Sequence, residues 1–240
     1  MAVDRGELMI NDLIAIDQKK IWNKVLNYEI SSDMIVLQFI IGNLDLNYLA
    51  NNYQYDEQEK CVITLVNALL STPISRIRLL LTSEPLENKV SAANIPQFSN
   101  FATAVIYLPE LLLTTRTYLT YREMGYMLFS ETKSDGAAEK YGQNHGSLAV
   151  QLGLASITKC EHKKVFCQTP LTYQYCQLEY AKKMELLQRL CFRIPIIQIA
   201  ATSEKPNIAV DECLKNNLAK TTCIRRRSNV LEVLAFALGE

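Results

Sequence analysis

The chain of 240 residues is 49% hydrophobic, which is normal for a globular protein with a sizeable core. Its 25 basic and 25 acidic residues leave no net charge, and this balance by itself argues against a strong nucleic-acid binder. The charge is uneven, however, because residues 1–111 carry a net charge of −5 and residues 112–240 a net charge of +5. This asymmetry predicts that the basic half faces phosphate, although chance variation of surface charge gives the same pattern.

Cellular location is predicted from the N-terminus, the apolar runs and the cysteines. Asp4, Arg5 and Glu7 interrupt any apolar run that could act as a signal peptide. No stretch reaches the roughly 20 apolar residues that a membrane helix needs. The seven cysteines are an odd number, and most have apolar neighbours. We therefore expect a soluble, cytoplasmic protein whose cysteines are reduced and behave as small core residues.

The first half of the chain shows helical spacing of apolar residues over 7–28 and 57–70. The continuous apolar run 34–41 fits either a buried strand or part of a buried helix, and 76–82 resembles a strand. We predict an α-rich N-terminal region, residues 1–112, whose topology and role the sequence leaves open.

Residues 116–178 contain a recognisable series of local signals. Thr120 and Glu123 have the spacing of a capping box, which opens a short helix over 124–129. A polar break over 130–136 precedes a second helix over 141–154, in which Gly153 suits a left-handed helix end.

A hairpin and a third helix complete this series. Two β-like runs, 155–158 and 163–168, are joined by a charged turn. Thr169 and Pro170 then form the N-cap and first residue of a long helix over 171–190. Helix, turn, helix, hairpin and helix is the order of a winged helix-turn-helix, whose second helix normally enters a major groove.

Three quoted segments carry a family resemblance: Tyr141-Gly-x-Asn-His-x-x-Leu-Ala-x-x-Leu-Gly-Leu154, Val165-Phe166 and Thr169-Pro-Leu-Thr-x-x-Tyr175. Together they resemble the winged-helix DNA-recognition segments of bacterial restriction-system proteins. Such segments occur in restriction and nicking endonucleases that separate recognition from cleavage. Residues 189–197 and 221–231 are similar to the linker helix and second helix-turn-helix of those segments. The resemblance covers about half of the chain.

The predicted fold class is therefore α+β and mainly α, with tandem helix-turn-helix units after the N-terminal region. The winged unit occupies residues 113–202, and a second helix-turn-helix-like segment occupies 203–240. Its last helix is predicted to begin at Thr221 or Thr222. That start places Arg225, Arg226 and Arg227 in the first turns, where cations oppose the helix dipole.

Four polar residues of the second helix are the candidate base contacts: Gln143, Asn144, His145 and Ser147. Asn and Gln can bond adenine N6 and N7 through two hydrogen bonds, and Ser can hold a phosphate. The alternative is an ordinary polar helix start, in which Asn and Ser cap backbone N–H groups.

Two groups of cations are the candidate phosphate contacts. Lys159, Lys163 and Lys164 flank the predicted wing, although a solvated turn explains them equally well. The second group, residues 225–227, is the densest positive cluster and fits a phosphate clamp or a guanine contact. Three successive helix positions fan over about 200°, so at least one arginine must face inward or sideways.

Metal sites are weakly indicated. A C-x-H-x4-C-x8-C spacing is not that of paired zinc knuckles, so no zinc site is predicted; its residues are Cys160, His162, Cys167 and Cys176. Glu87 and Lys89 have the E-x-K form of a Mg²⁺-dependent nuclease, which Asp45 or Asp56 could complete.

The sequence thus predicts sequence-specific binding of double-stranded DNA in a bacterial restriction-type system, without a cofactor or a membrane partner. A homodimer, or a partner subunit bound through the N-terminal half, is compatible with this prediction. Two alternatives remain open. One is a Mg²⁺-dependent type II restriction or nicking endonuclease with catalytic residues in the N-terminal half, so enzymatic activity stays undecided. The other is a winged-helix protein–protein adaptor or transcriptional regulator.

Overall fold

The computed structural model describes residues 18–83, 90–115, 118–129, 131 and 134–239. The helices are α1 (18–26), α2 (Ser32–Ile40), α3 (Leu46–Asn52), α4 (Tyr55–Ser71), α5 (Ile74–Ser83), α6 (Leu108–Thr114), α7 (Tyr121–Leu128), α8 (Asp135–Gln151), α9 (Pro170–Gln177), α10 (Tyr180–Leu190), α11 (Pro195–Thr202), α12 (Pro206–Asn217) and α13 (Lys220–Leu238). The strands are β1 (Tyr118–Thr120), β2 (Ser156–Cys160) and β3 (Lys163–Cys167). The fold is therefore α-rich with one small sheet, as the mainly-α prediction requires.

Two N-terminal segments for which the sequence allowed or predicted a strand form helices in the structure. The apolar run 34–41 lies mostly in α2, which begins after Ser31, whose side chain accepts a hydrogen bond from the Met34 N–H. The strand predicted over 76–82 is wrong, because these residues form α5. Ile77 and Leu81, four residues apart, are buried on one face of α5, whereas Leu79 is exposed. The predicted helix 7–28 is helical over 18–26, and its residues 7–17 lie outside the described residues.

The sheet is antiparallel with the strand order β1-β3-β2. Leu119 of β1 lies opposite Phe166 of β3, and Ser156 of β2 lies opposite Cys167. The predicted hairpin is confirmed. Its two-residue turn, Glu161–His162, has positive φ at both positions, as a type I′ turn requires.

The capping box at α7 is confirmed. The Glu123 N–H donates to Thr120 Oγ1 over 3.2 Å, and the Thr120 N–H donates back to the Glu123 carboxylate over 2.9 Å. The start predicted for the next helix is wrong: α8 begins at Asp135, six residues before position 141, and Ser134 is its N-cap. Gly136 therefore lies in the first turn of α8 and not in a loop. The predicted stop is confirmed, since Gly153 has a φ of +81° just after α8.

Two later boundaries also differ from prediction. The long helix predicted over 171–190 is broken, because Leu178 and Glu179 adopt extended backbone between α9 and α10. No glycine or proline marks this break, and Leu178 packs against the core there. The last helix starts at Lys220 with Ala219 as its N-cap, and not at Thr221 or Thr222. The arginine cluster therefore lies beyond the first turn, so the expected conflict with the helix dipole does not arise.

The hydrophobic core joins both halves of the chain. One cluster of buried apolar side chains runs from Trp22 in α1 to Ala237 in α13. Among the described residues, no single helix is both long and apolar enough to cross a membrane, and the pair α4 and α5 meets those criteria only across a bend of 101°.

Polar side chains from residues 189–198 donate hydrogen bonds to backbone carbonyls at the ends of other helices. Arg193 donates to Phe39 O at the end of α2 and to Gln151 O at the end of α8, over 3.1 and 3.0 Å. Gln198 and Arg189 act in the same way, the first on the last carbonyl of α2 and the second on the carbonyl that follows α4. The last carbonyls of a helix have no partner within the helix, so each of these bonds satisfies a group that would otherwise be buried unpaired.

Glycine allows α7 and α8 to pack with their backbones in contact. A Cβ atom at Gly142 would lie 1.8 Å from the carbonyl oxygen of Tyr121, and one at Gly125 would lie 1.8 Å from the carbonyl oxygen of Ala138. Both obstacles are backbone atoms, which cannot rotate away. Glycine costs a helix about 1 kcal/mol relative to alanine, so its presence inside α8 is explained by this close approach.

We predict that Gly142→Ala lowers the free energy of unfolding by about 1–3 kcal/mol, because overpacking outweighs the gain in helix propensity. The measurement is denaturant unfolding. Gly136→Ala is the matched control: nothing lies within 4 Å of a Cβ there, so that variant should keep or slightly gain stability. Equal stabilisation of both variants would contradict the backbone contact.

Candidate nucleic-acid interface

The exposed side of α8 carries a stripe of polar residues at helical spacing. Glu139, Lys140 and Gln143 are exposed, and Asn144 and Ser147 are half-buried further along the same side. The opposite face is fixed in the core, because the ring of Phe166 fills the space beside Gly146 and would touch any Cβ there. The stripe is thus held in one orientation, in the middle of a 17-residue helix. The sequence prediction had Gln143, Asn144 and Ser147 in the N-terminal half of a shorter helix, 141–154.

Residues of this stripe line an open cleft together with residues of other elements. Outside α8, the lining residues belong to α13, to the β2–β3 hairpin, to the start of α7 and to the segment 92–97, which precedes the π-helix Thr103–Tyr107. The charged residues that line the cleft are Glu139, Lys140, Lys164, Arg225 and Arg226. Four of these five are cations, so the cleft is positively charged although the whole chain is neutral.

Most of the polar groups in the cleft are unused by the fold. Within the described part of the chain, no hydrogen bond or ion pair engages the side chains of Lys140, Gln143, Asn144, Lys164 or Arg225. Buried polar groups in proteins are almost always paired, and surface cations often find a carboxylate. The cleft therefore presents free donors and acceptors beside free positive charge.

The arginine cluster separates into three different environments. Arg225 is exposed in the cleft. Arg226 donates from Nη1 to two carbonyl oxygens, those of Ala92 and Ile95. Burial, and then the nearby charge of Arg225, lower the pKa of Arg226. As the helical fan requires, only part of the cluster faces the cleft.

Arg227 points to α12 instead. Its Nε and Nη2 donate to the two carboxylate oxygens of Asp211 over 2.6 and 3.3 Å. This contact raises the pKa of Arg227 and lowers the pKa of Asp211. The structure thus gives Arg227 an internal partner, and Arg227 is not among the residues that line the cleft.

His145 does not line the cleft either, and its side chain is fully buried. Its Nδ1 lies 2.9 Å from Tyr141 O and its Nε2 lies 3.3 Å from the backbone N of Ser99. A carbonyl oxygen only accepts, so Nδ1 donates to Tyr141 and Nε2 accepts from Ser99. Burial lowers the pKa of this imidazole. His145 is therefore a neutral core residue that joins α8 to the segment before the π-helix.

The wing lysines are exposed and lie near the cleft. Lys163 and Lys164 line an adjoining hollow with Arg122 of α7, and this hollow shares Lys164 and Tyr121 with the cleft. Lys159 lies directly opposite Lys164 in the hairpin register, so both side chains project from the same face. Like charges in this arrangement repel. A nearby anion would relieve that repulsion, which supports a phosphate contact at the wing.

The candidate metal ligands that lie in the described ranges do not form a metal site. No group of three or more His, Cys, Asp or Glu side chains in the described ranges is placed to hold a metal ion. Asp45 is the N-cap of α3, where it accepts from the Asn47 N–H, and Asp56 lies in the first turn of α4. Glu87 and Lys89 lie outside the described residues.

Comparison with family models, with curated proteins and with solved structures gives no match to this chain.

We predict that His145 makes the stability of the fold depend on pH. Its pKa is lowered in the folded state relative to the ordinary value of about 6.5, so its contribution is present above that pH and is lost as pH falls. Denaturant unfolding between pH 7.5 and 5 should show a decline of at most about 1.4 kcal/mol per pH unit from this one group.

Two variants test whether His145 causes this decline in the free energy of unfolding. His145→Gln should lose its histidine component, whereas His162→Asn should keep it, because His162 is exposed in the hairpin turn and asparagine tolerates positive φ. An undiminished decline in His145→Gln would show that other groups cause it.

Proposed function

We propose that this protein binds double-stranded DNA through the cleft over α8, and that residues 108–167 form a winged helix-turn-helix. The order of elements supports the second part: α6, β1, α7, α8 and the β2–β3 hairpin follow one another, and β1 joins the hairpin through β3. In such a unit, α8 is the helix that enters the major groove.

The proposal rests on one observation: amide side chains and cations without partners among the described residues line the same cleft. The side chains of Asn144 and Gln143 lie on the exposed stripe of α8, have no partner among the described residues, and line the same cleft as Lys140, Lys164 and Arg225. A major groove about 12 Å wide accepts an α-helix, with a phosphate backbone along each edge. Amides on the helix then face base edges, and cations beside the helix face phosphates.

The roles follow from the chemistry of each side chain. Asn144 and Gln143 each offer an acceptor and a donor, which match N6 and N7 of adenine. The Ser147 hydroxyl donates to Gln143 O over 2.6 Å, so it retains only its acceptor capacity for DNA. Lys140, Lys164 and Arg225 position the duplex through phosphate contacts, and Lys159 and Lys163 extend these contacts along the wing.

A role in a bacterial restriction-type system belongs to the same proposal and rests on the resemblance of residues 141–175 to DNA-recognition segments of such systems. The endonuclease alternative requires Mg²⁺-dependent cleavage, and the adaptor alternative requires that duplex DNA is not bound. A binding assay with and without Mg²⁺ therefore separates all three.

We predict that the full chain binds duplex DNA with an affinity that falls steeply as salt increases. Each phosphate contact contributes a slope of about −0.9 to the dependence of log K on log salt concentration. Arg225→Gln should therefore make the slope shallower by about 0.9 and weaken binding to all duplexes alike. Fluorescence anisotropy with a pool of random duplexes, titrated at several salt concentrations, measures both effects.

Arg227→Gln is the matched control, since it removes the same charge from the same helix two positions away. Arg227 is already paired with Asp211, so the salt slope of this variant should stay close to that of the native protein. Equal changes in both variants would mean that net charge alone governs binding. No binding by the native chain at low salt would contradict the proposed function.

A further inference from the structure

Four carboxamide side chains line the cleft, and only three of them belong to α8. The three are Gln143, Asn144 and Gln151, and the fourth is Gln97. The side chain of Gln97 has no hydrogen-bond partner among the described residues. Gln151 donates to Ser147 O, but its Oε1 is buried without a donor. The fold thus concentrates amides with free hydrogen-bonding capacity at one place.

Gln97 lies in a short segment, residues 91–99, which we call the strap and which contains the 3₁₀ helix Ala92–Asn94. Within the strap, Ile95, Pro96 and Phe98 are buried, and Gln97 between them is only half-buried. Its neighbours on both sides are therefore fixed in the core while its own side chain faces the cleft. Because the backbone is held in this way, Gln97 lies beside the cleft without any need to order the chain when a partner binds.

Hydrogen bonds from α13 hold the strap on both sides of Gln97. Arg226 Nη1 donates to Ala92 O over 2.7 Å and to Ile95 O over 3.3 Å. Asn229 Nδ2 donates to Phe98 O over 2.8 Å. Arg226 Nη1 is thus committed to backbone carbonyls, whereas Arg226 Nε is buried without a hydrogen-bond partner among the described residues.

We propose that Gln97 contacts a base edge in the same duplex and so determines part of the DNA sequence preference, and that Arg226 is a positioning residue that acts through the strap. This inference rests on the proposed function. A base is favoured over a phosphate because Gln97 is neutral and can both donate and accept, as recognition of adenine requires. Free cations already surround the cleft for phosphate contacts.

The test starts from the duplex sequence that the native chain selects from a random pool. Gln97→Ala should weaken binding to this duplex by about 5- to 150-fold, the loss expected for one bidentate base contact. Binding to duplexes changed at the affected base pair should stay the same, and so should the salt slope. Gln97→Glu, which keeps the shape but loses the N–H donors, should lose the same preference. Gln174→Ala, on α9 and outside the cleft, is the matched control and should bind as the native chain does.

Arg226 is tested in combination with Gln97. Arg226→Lys keeps the charge but has a shorter side chain and no planar guanidinium. The lysine nitrogen lies one bond nearer to the backbone than Arg226 Nη1, so we expect it to lose the bonds to Ala92 O and Ile95 O. Arg226→Lys should therefore lose the preference at the base pair that Gln97 contacts, with an unchanged salt slope, and Gln97→Ala should then have little further effect. A shallower salt slope in Arg226→Gln, additive with Gln97→Ala, would show a direct phosphate contact and overturn the positioning role.

The two proposals fail in different ways. If the native chain selects a sequence and Asn144→Ala alters that selection while neither Gln97 variant does, the inference about the strap is wrong and the proposed function stands. If the native chain binds no duplex, the proposed function itself is wrong.

Discussion

The contact on which the site depends most is that of Arg193 with the ends of two helices. Its guanidinium caps α2 and α8 at once and lies 4.0 Å from the centroid of the Phe39 ring. Burial lowers its pKa to about 10, so the group stays charged at neutral pH. A cation at the negative end of a helix is favourable, and here one cation serves two helix ends. This contact fixes the C-terminal end of α8, and with it the direction of the polar stripe, relative to the N-terminal helices.

The cleft combines side chains that are far apart in sequence. The stripe belongs to α8, Lys164 to the hairpin, Arg225 to α13 and Gln97 to the strap. Each element is fixed separately, by glycine-mediated packing of α7 on α8, by strand pairing or by hydrogen bonds from Arg226. A local excess of positive charge in a neutral chain follows from this assembly. It agrees with an electrostatic role confined to one surface, which a net charge for the whole molecule does not reveal.

The parts of the fold that sequence could predict are those governed by local chemistry. The capping box at Thr120, the hairpin, and the Thr169–Pro170 start of α9 involve residues within a few positions of one another. The wrong predictions concern residues whose structure depends on packing or on contacts with distant parts of the chain. Residues 76–82 form a helix because two residues four apart face the core, which a short apolar run does not specify. The burial of His145 depends on Ser99, and the role of Arg226 depends on carbonyls more than 130 positions away. No local pattern indicates such partners.

The central claim, that duplex DNA lies in the cleft over α8, is tested most directly by site-specific photocrosslinking. A benzophenone amino acid replaces Lys140, at the edge of the cleft, or Tyr173, an exposed residue of α9 that lines a different hollow. The account predicts that illumination with a bound duplex gives a covalent protein–DNA adduct from position 140 and none from position 173. A chain that binds DNA but crosslinks only from position 173 would contradict it.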